Sequence, residues 1–286
     1  EGGSGSSTGG MDSAAASTPA AGTTDHLREG ENEVVLRVTF QAPNSRWYSG
    51  AGIYRDVWMI RLPETHIPLD GIYTSSVETE NGYDLTIDTE LEWGAITENY
   101  ELEYCLHYAG DSKNSAETEN REIFRVKQPL DGGQEKTSVT IPVDNPRKWD
   151  ITDPYLYELQ VCLWREQETN SRELCQEEHL RIGFRTMQFD PVRGFLLNGR
   201  KVRLNGACDH HDLGALGAAF HKEAMRRKFE LMRSMGVNAV RTSHNMPAVE
   251  LMELADEMGF LIVSEAFDMW EMAKNPYDYA RFFKEW

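Results

Sequence analysis

The chain has 286 residues, a net charge of −18, 40% hydrophobic residues and 27% charged residues. This acidic balance argues against binding to nucleic acid or to anionic membranes, since phosphate recognition requires a basic surface. No stretch approaches the roughly 20 apolar residues of a membrane span, and no signal peptide is evident at the N-terminus. The length allows two domains or slightly more.

The N-terminal part of the chain is predicted to be a flexible tract followed by a small β segment. Residues 1–22 are rich in Gly, Ser, Ala and Thr, which is typical of a flexible tail or a loop insertion. Apolar alternation predicts strands over Glu33–Phe40 and Ile53–Leu62, joined by the loop Ala42–Gly52. Because two strands do not form a stable domain, we interpret residues 23–62 as the end of a β-sandwich whose beginning is missing.

Residues 63–186 have an all-β pattern. Short alternating segments separated by turn clusters such as Glu80-Asn81-Gly82 predict an immunoglobulin-like β-sandwich. The predicted strands are Gly71–Thr79, Tyr83–Leu91, Asn99–Ala109, Arg121–Val126, Thr137–Val143, Tyr155–Arg165 and Leu174–Phe184. The segment has no concentration of catalytic side chains, so we interpret it as a structural spacer.

Residues 187–286 alternate between strand and helix patterns. Lys201–Cys208 is predicted to be a strand and His221–Met235 a helix with one apolar face. A short apolar strand beginning at Val237 precedes a second amphipathic helix, which Gly259 ends before the next strand, Phe260–Val263. Strand–helix–strand units of this size build parallel sheets, so the pattern predicts a (β/α)-barrel.

Charged and histidine side chains follow three successive predicted strands. The first strand is followed by His210, the second by Arg241 and His244, and the third by Glu265 and Asp268. Reactive groups of parallel sheets collect at the carboxyl ends of the strands. The sequence therefore predicts a binding site at this edge.

The four cysteines do not define a disulfide framework or a zinc motif. Cys162 and Cys175 lie on segments that a hairpin would bring within reach of a disulfide. Cys105 and Cys208 lie in apolar runs and are predicted to be buried thiols. A reducing compartment is the favoured interpretation, and the localisation is left between bacterial cytoplasm and periplasm.

The run Asn238–His244, the helix that ends Asp-Glu-Met-Gly and the apolar strand before Ser264-Glu265 resemble the first signature of glycoside hydrolase family 2. Asn245-Met246 departs from the usual Tyr-Pro. Three further segments are similar to the family in the expected order: Asn44–Trp58, Val143–Val161 and Gly194–Asp212. The resemblance implies the end of a jelly-roll sugar-binding sandwich, an immunoglobulin-like sandwich and the start of a (β/α)8 TIM barrel.

The resemblance also implies which residues carry function. Its catalytic glutamates lie on later barrel strands, so we expect the acid/base and the nucleophile after Trp286, and we expect a chain truncated at both ends to be inactive alone. A full barrel takes roughly 250 residues, and residues 187–286 are predicted to supply its first three β/α units. The implied substrate-binding residues are His210, Arg241, His244, Glu265, Asp268, Trp270, Asn44, Arg46 and Trp47.

These implied roles differ in kind. His210 and His244 would hydrogen-bond sugar hydroxyls, and Arg241 would orient the nucleophile, because a guanidinium fork grips a carboxylate and lowers its pKa. Glu265 would hold these side chains in position without contacting the sugar itself, and Trp270 would stack on a sugar ring. Core burial explains Trp270 equally well, and a loop turn explains His211 and Asp212.

We expect no cofactor and no metal site. Some family members bind magnesium shortly after the third strand, but Met269 and Glu271 occupy the matching positions here. The run Asp209–Asp212 lacks partners at ligand spacing for a metal cluster.

The favoured function is a β-galactosidase that retains anomeric configuration and acts on oligosaccharides or β-galactosides. A β-glucuronidase or a β-mannosidase of the same family is the alternative enzyme. The β-glucuronidases tend to have Asn-Lys-His-Glu where this chain has Cys208–His211. A non-catalytic carbohydrate-binding or assembly module is the alternative outside the enzymes. A homo-oligomer is compatible with the full-length protein.

Overall fold

A computed structural model describes residues 28–38, 52–94, 98–108, 121–167 and 171–266. The chain divides into two compact units. One unit comprises residues 58–205 and 253–261, which we call the sandwich unit, and the other comprises residues 1–57, 206–252 and 262–286, which we call the barrel unit. The prediction of four segments bounded at residues 22, 62 and 186 stays a prediction.

The sandwich unit contains the predicted immunoglobulin-like sandwich. Its strands are β1 (Ile72–Glu78), β2 (Gly82–Glu90), β3 (Tyr100–Tyr108), β4 (Glu122–Leu130), β5 (Lys136–Asp144), β6 (Tyr157–Glu166) and β7 (Arg172–Ile182). They form a three-stranded sheet of order β1-β2-β5 and a four-stranded sheet of order β4-β3-β6-β7. All seven predicted strands are confirmed, and β4 runs four residues beyond its predicted end at Val126.

The sandwich core follows directly from residue alternation. Along β2, the inward residues Tyr83, Leu85, Ile87 and Thr89 are buried, and the residues between them are partly exposed. Inward residues of the second sheet pack in the same cluster; among them are Leu102, Leu106, Tyr157, Leu159 and Val161. A strand places successive side chains on opposite faces, so one apolar face per sheet is enough to build this core.

A small antiparallel sheet follows the sandwich. It consists of β8 (Met187–Asp190), β9 (Gly194–Leu197) and β10 (Arg200–Lys201) in the order β10-β9-β8. Asn198 and Gly199 form the turn between β9 and β10 with φ values of 51° and 75°, as a type I′ hairpin requires. The prediction of one strand over Lys201–Cys208 is therefore wrong, because this turn makes residues 200–201 pair antiparallel with the preceding strand β9.

The barrel unit has the alternating pattern predicted from the sequence. Its sheet begins with β11 (Gly206–His210). The elements that follow are α1 (Lys222–Ser234), β12 (Ala239–Ser243), α2 (Val249–Met258) and β13 (Leu261–Val263). The strand order is β11-β12-β13, and β11 pairs with β12 in parallel. Helix α1 buries Met225, Phe229 and Met232 and exposes its charged face.

The last residues of α2 and the start of β13 cluster with the sandwich unit. Trp149 Nε1 donates to the carbonyl oxygen of Asp256 over 2.8 Å, and Arg181 Nη1 lies 2.5 Å from Glu257 Oε1. Gly259 has a φ of 71°, and a Cβ atom there would lie 2.5 Å from the carbonyl oxygen of Ile151. Glycine therefore both ends the helix and permits this close backbone approach.

Two strand predictions near the N-terminus are wrong over the residues that the structure describes. Residues 28–38 and 52–62 form no strand. Their apolar side chains are exposed, for example Val34 at 84% and Met59 at 89%. A strand depends on a hydrogen-bonded neighbour, and in the described ranges no strand pairs with these segments.

The cysteine predictions are only partly right. All four cysteines are free thiols, so Cys162 and Cys175 do not form a disulfide. Cys105 is buried as predicted, whereas Cys208 is exposed, because it lies on the face of β11 opposite the buried Asp209.

None of the described helices is both long and apolar enough to cross a membrane.

Candidate active site

The candidate site lies at the carboxyl ends of β11, β12 and β13. Arg241 is the central residue of β12, and in the parallel register it lies beside Cys208 of β11. His244 directly follows β12, and the peptide bond that joins it to Ser243 is cis. Glu265 follows β13 by two residues. Three predicted residues are thus brought to one edge of the sheet.

Arg241, His244 and Glu265 form one hydrogen-bonded cluster, which we call the rim triad. Arg241 Nε donates to Glu265 Oε1 over 2.6 Å, and Arg241 Nη2 lies 2.5 Å from the same oxygen. His244 Nδ1 lies 3.0 Å from Glu265 Oε2. Both carboxylate oxygens are therefore engaged, which restricts the orientation of all three side chains.

The rim triad favours one tautomer of His244. A carboxylate only accepts hydrogen bonds, so the 3.0 Å contact with Glu265 requires a proton on Nδ1. Arg241 Nη2 lies 3.3 Å from the same nitrogen, but a guanidinium only donates and cannot share that proton. The shorter, charge-assisted contact with Glu265 decides between them. In this tautomer Nε2 carries the lone pair, the form that accepts a hydroxyl donor.

The backbone around Glu265 is also anchored to β12. Its amide nitrogen donates to Thr242 Oγ1 over 3.0 Å, and Thr242 is 2% exposed. The Glu265 side chain is 23% exposed and that of His244 is 13% exposed. The rim triad is therefore anchored by a hydrogen bond to a buried residue of β12, and its side chains remain partly exposed to solvent.

His210, at the end of β11, lies next to the rim triad. Its ring meets the ring of His244 edge to face, with centroids 5.2 Å apart and an interplanar angle of 83°. His210 is exposed. Four predicted substrate-binding residues therefore lie in one group, as the parallel-sheet argument requires, although the role of each stays a prediction.

The neighbouring residues of the Asp209–Asp212 run are used to build the loop. Asp209 is 8% exposed and pairs with Lys228 of α1, whose ammonium group also donates to the carbonyl oxygen of Asp212 over 2.8 Å. Asp212 Oδ1 accepts from the amide of Gly214 over 2.7 Å. His211 is half-buried, and burial together with the nearby charge of Arg55 lowers its pKa. These contacts give His211 and Asp212 a structural role.

Two contributors to this edge were missed at the level of sequence. Arg55 Nη2 donates to the carbonyl oxygen of Met246 over 2.7 Å, and the amide of Phe220 donates to the carbonyl oxygen of Tyr54 over 3.1 Å. Cys208 Sγ lies 3.5 Å from Arg241 Nη1, and this guanidinium lowers the pKa of the thiol. For Cys208, the available signal was strand alternation, which places it on the face of β11 opposite Asp209. No local pattern indicates the contact of Arg55.

Five predicted substrate-binding residues lie outside the described residues: Asn44, Arg46, Trp47, Asp268 and Trp270. The same holds for Met269 and Glu271, on which the expectation about magnesium depends. In the described ranges, the His and acidic side chains of this edge do not form a three-residue metal group; the group that does form lies in the sandwich unit.

Comparison with known proteins agrees with the fold. Residues 65–185 match the family described as "Glycosyl hydrolases family 2". Residues 192–276 match "Glycosyl hydrolases family 2, TIM barrel domain". Together the two matches cover the seven sandwich strands, α1, α2 and the rim triad.

Individual relatives point the same way. The chain is 39% identical over 261 residues to "Beta-galactosidase BoGH2A" of Bacteroides ovatus, covering 89% of this chain and 29% of the relative. It is 31% identical over 265 residues to a "Putative beta-glucuronidase" of Formosa agariphila, covering 91% of this chain and 24% of the relative. The chain thus spans less than a third of the length of these curated relatives.

Solved structures show the same relationship. A glycosyl hydrolase family 2 member from Bacteroides cellulosilyticus superposes with a TM-score of 0.70 at 33% identity, over 85% of this chain and 30% of the other. A beta-glycosidase from Bacteroides vulgatus gives a TM-score of 0.71 at 30% identity, over 84% and 29%. An immunoglobulin-like domain followed by the start of a TIM barrel is common to the family matches and to this structure. The chain therefore belongs to glycoside hydrolase family 2.

Proposed function

We propose that the protein is a retaining glycosidase that acts on terminal β-galactosides, and that the rim triad forms part of its sugar pocket. The observation that carries this proposal is the shared engagement of Glu265 by Arg241 and His244 at the carboxyl edge of the sheet. In barrel enzymes this edge is where catalytic side chains collect. The 39% identity to a protein named beta-galactosidase supports the choice of sugar.

Retention of configuration requires two carboxyl groups about 5–5.5 Å apart, one as acid/base and one as nucleophile. Glu265 suits neither role, because both of its oxygens are already bound by Arg241 and His244. We assign Glu265 to positioning. The two catalytic glutamates are proposed to lie on barrel strands later than β13.

Arg241 is proposed to serve two carboxylates. Its Nε and Nη2 atoms hold Glu265, and its Nη1 atom lies beside Cys208. The Arg241 side chain is 42% exposed, so it is accessible from solvent. A guanidinium fixed in this way would keep the nucleophile ionised and aligned, and the effect would be greatest in the transition state.

His244 and His210 are proposed to contact sugar hydroxyls. In the tautomer that Glu265 selects, Nε2 of His244 is an acceptor, and edge-to-face packing against His210 limits rotation of the ring. The proposed pocket is completed by five residues outside the described ranges: Asn44, Arg46, Trp47, Asp268 and Trp270. Of these, Trp270 is proposed to stack on the apolar face of a sugar ring.

A β-glucuronidase is the second candidate, since a relative at 31% identity carries that name. A glucuronate carboxylate needs a cationic partner at the pocket, as other anionic ligands do. Lys228 of α1 is already paired with Asp209 and with the carbonyl oxygen of Asp212. This arrangement favours a neutral sugar.

The test uses the enzyme that contains this chain together with a complete barrel. The kcat/KM values are compared for nitrophenyl β-galactoside, β-glucuronide and β-mannoside. We expect the β-galactoside to be preferred. Preference for the β-glucuronide would support the second candidate, and no turnover of any of the three would overturn the proposal of a glycosidase on these sugars.

A matched pair of histidine variants tests the pocket itself. His244→Ala is expected to lower kcat and raise KM, because sugar contacts form in the ground state and tighten in the transition state. His66→Ala is the control, since His66 lies in the sandwich unit and pairs with Glu92 over 3.4 Å. Equal effects of the two substitutions would remove the assignment of His244.

A further inference from the structure

The sandwich unit contains a cluster of metal-ligating side chains that the proposed glycosidase site does not use. Cys105 and His107 lie on β3, and Glu122 is the first residue of β4. One ligand atom of each residue lies within 4.8 Å of the ligand atoms of the other two. The three residues face away from the sandwich core, on the outer side of the four-stranded sheet.

Strand geometry and a bulge bring these residues together. Cys105 and His107 are two positions apart on one strand and therefore share a face. The register between β3 and β4 shifts after Leu106, which pairs with Phe124. The next residue, His107, pairs with Glu122, and Ile123 is the extra, unpaired residue of the bulge. Directly opposite residues have Cβ atoms about 4.5–5.5 Å apart. Without the bulge, His107 would face Ile123.

His107 provides an independent observation. Its Nδ1 atom is shielded from solvent and has no hydrogen-bond partner among the residues that the structure describes. A buried polar atom without a partner costs about 1–3 kcal/mol, and natural proteins rarely tolerate one without a reason. His107 is one of the three residues of the group, and a cation bound through Nδ1 would satisfy this nitrogen.

We propose that Cys105, His107 and Glu122 bind one Zn²⁺ ion on the outer face of the sandwich. Thiolate, imidazole and carboxylate are the three ligand types that zinc combines, at about 2.0–2.3 Å. Ca²⁺ and Mg²⁺ prefer oxygen ligands alone and would not select this set. The fourth position of a tetrahedral ion would be taken by water.

The neighbouring charges are compatible with this site. Arg125 donates to Oε2 of Glu122 over 2.7 Å and 3.0 Å, so it orients the carboxylate while Oε1 approaches the ion. The same arginine lies 2.6 Å from Glu103, whose negative charge offsets that of the guanidinium. Partners that hold metal ligands in place commonly strengthen binding.

Binding requires the loss of one proton. A cysteine thiol ordinarily has a pKa of about 8.5, so at neutral pH it carries a proton that the metal must displace. When zinc binds, the sulfur–hydrogen bond breaks, a sulfur–zinc bond forms and the proton passes to the buffer. Charges that face the thiol include Arg125 on β4, Glu103 on β3 and Arg172 on β7. The apparent affinity should therefore fall as the pH is lowered.

The experiment is calorimetric titration of the chelator-treated full chain with ZnCl₂. We expect one high-affinity ion per chain and a heat that changes between two buffers of different ionisation enthalpy, in proportion to one released proton. CoCl₂ should give a thiolate-to-metal charge-transfer band in the near ultraviolet. A stoichiometry of zero, or binding without a thiolate band, would overturn the proposal.

Variants locate the site. Cys105→Ser, His107→Gln and Glu122→Gln should each weaken Zn²⁺ binding by at least about 10-fold. Cys162→Ser and His179→Gln are the matched controls, since both residues lie in the same sheet but outside the three-residue group. His107 is only half-buried, so His107→Gln should fold even if Cys105→Ser does not, and circular dichroism checks this. Unchanged binding in His107→Gln, or equal loss in the controls, would place the ion elsewhere.

Discussion

Glu103 in the sandwich unit and Glu265 in the barrel unit are both held by arginine, but their donors are used differently. Glu103 is 3% exposed, with Arg125 at 2.6 Å, Arg172 at 2.9 Å and Lys127 at 3.4 Å. Glu265 is 23% exposed, with Arg241 at 2.5 Å and His244 at 3.0 Å. One carboxylate is buried beneath its partners, and the other lies at the open end of a sheet.

The comparison shows that an ion pair by itself does not indicate function. The arginines around Glu103 project from β4 and β7 of the same sheet, and Arg172 also packs over the ring of Trp164 at 4.0 Å. These contacts complete a surface. Around Glu265 the same chemistry restrains a histidine and includes a partly exposed arginine side chain near the carboxyl ends of the strands, where barrel enzymes bind substrates.

The largest expected effect concerns Arg241 in the enzyme with a complete barrel. Arg241→Ala should lower kcat by on the order of 100-fold, because misplacing a catalytic group by about 1 Å has this cost, whereas KM should change little. Steady-state kinetics on the nitrophenyl β-galactoside measure both values. Arg165→Ala, which breaks a sandwich pair with Glu98 and Glu173, is the control. A normal kcat in Arg241→Ala would contradict the assignment.

The corresponding change in the sandwich should affect stability and leave catalysis unchanged. Glu103→Gln should lower the free energy of unfolding by about 2 kcal/mol, less than the 3–5 kcal/mol of a fully buried pair. The reduction is expected because Arg125 and Arg172 are 42% and 37% exposed and can be rehydrated. Urea unfolding of the chain measures the loss. If Glu265→Gln were equally destabilising, the distinction between the two carboxylates would fail.

Acid should weaken the sandwich through Glu103. Burial raises the pKa of Glu103, but hydrogen bonds and charges from Arg172, with Arg125, outweigh it and hold the pKa below the ordinary 4.5. A lowered pKa means that the stabilisation is present above pH 4.5 and is lost as the pH falls through the folded-state value. Burial raises the pKa of Asp256, which acts in the opposite sense.

Urea midpoints measured between neutral pH and acid test this expectation. The unaltered chain should lose stability below about pH 4.5, and Glu103→Gln should lose less over the same range. Parallel pH profiles of the two proteins would show that Glu103 is not responsible for the acid sensitivity.

The smallest expected effect concerns Lys127. Its ammonium group lies 3.1 Å from Glu101 and 3.4 Å from Glu103, and its side chain is 46% exposed. Exposed pairs contribute little, so Lys127→Met should change the free energy of unfolding by no more than about 0.5 kcal/mol. A loss as large as that of Glu103→Gln, measured by the same urea titration, would show that all donors around Glu103 contribute equally.

The periodicity of the sequence predicted most elements, and its failures have identifiable causes. Seven sandwich strands and the β/α alternation were predicted because their apolar residues recur at strand or helix spacing. The strands over Glu33–Phe40 and Ile53–Leu62 have the same alternation but no pairing partner in the described residues. The strand over Lys201–Cys208 failed because the Asn198-Gly199 turn pairs residues 200–201 with β9.

For the candidate site, the sequence by itself determined which residue types follow each strand of the barrel unit. Alternation and turn residues are local properties, so they place His244 and Glu265 just after strands without any knowledge of partners. Arg241, which was predicted to follow its strand, is instead the central residue of β12. Only the tertiary structure decided that the three meet on one carboxylate, that Cys208 is exposed beside Arg241 and that a bulge sets His107 opposite Glu122. Register and strand order depend on contacts between distant segments, which no local pattern contains.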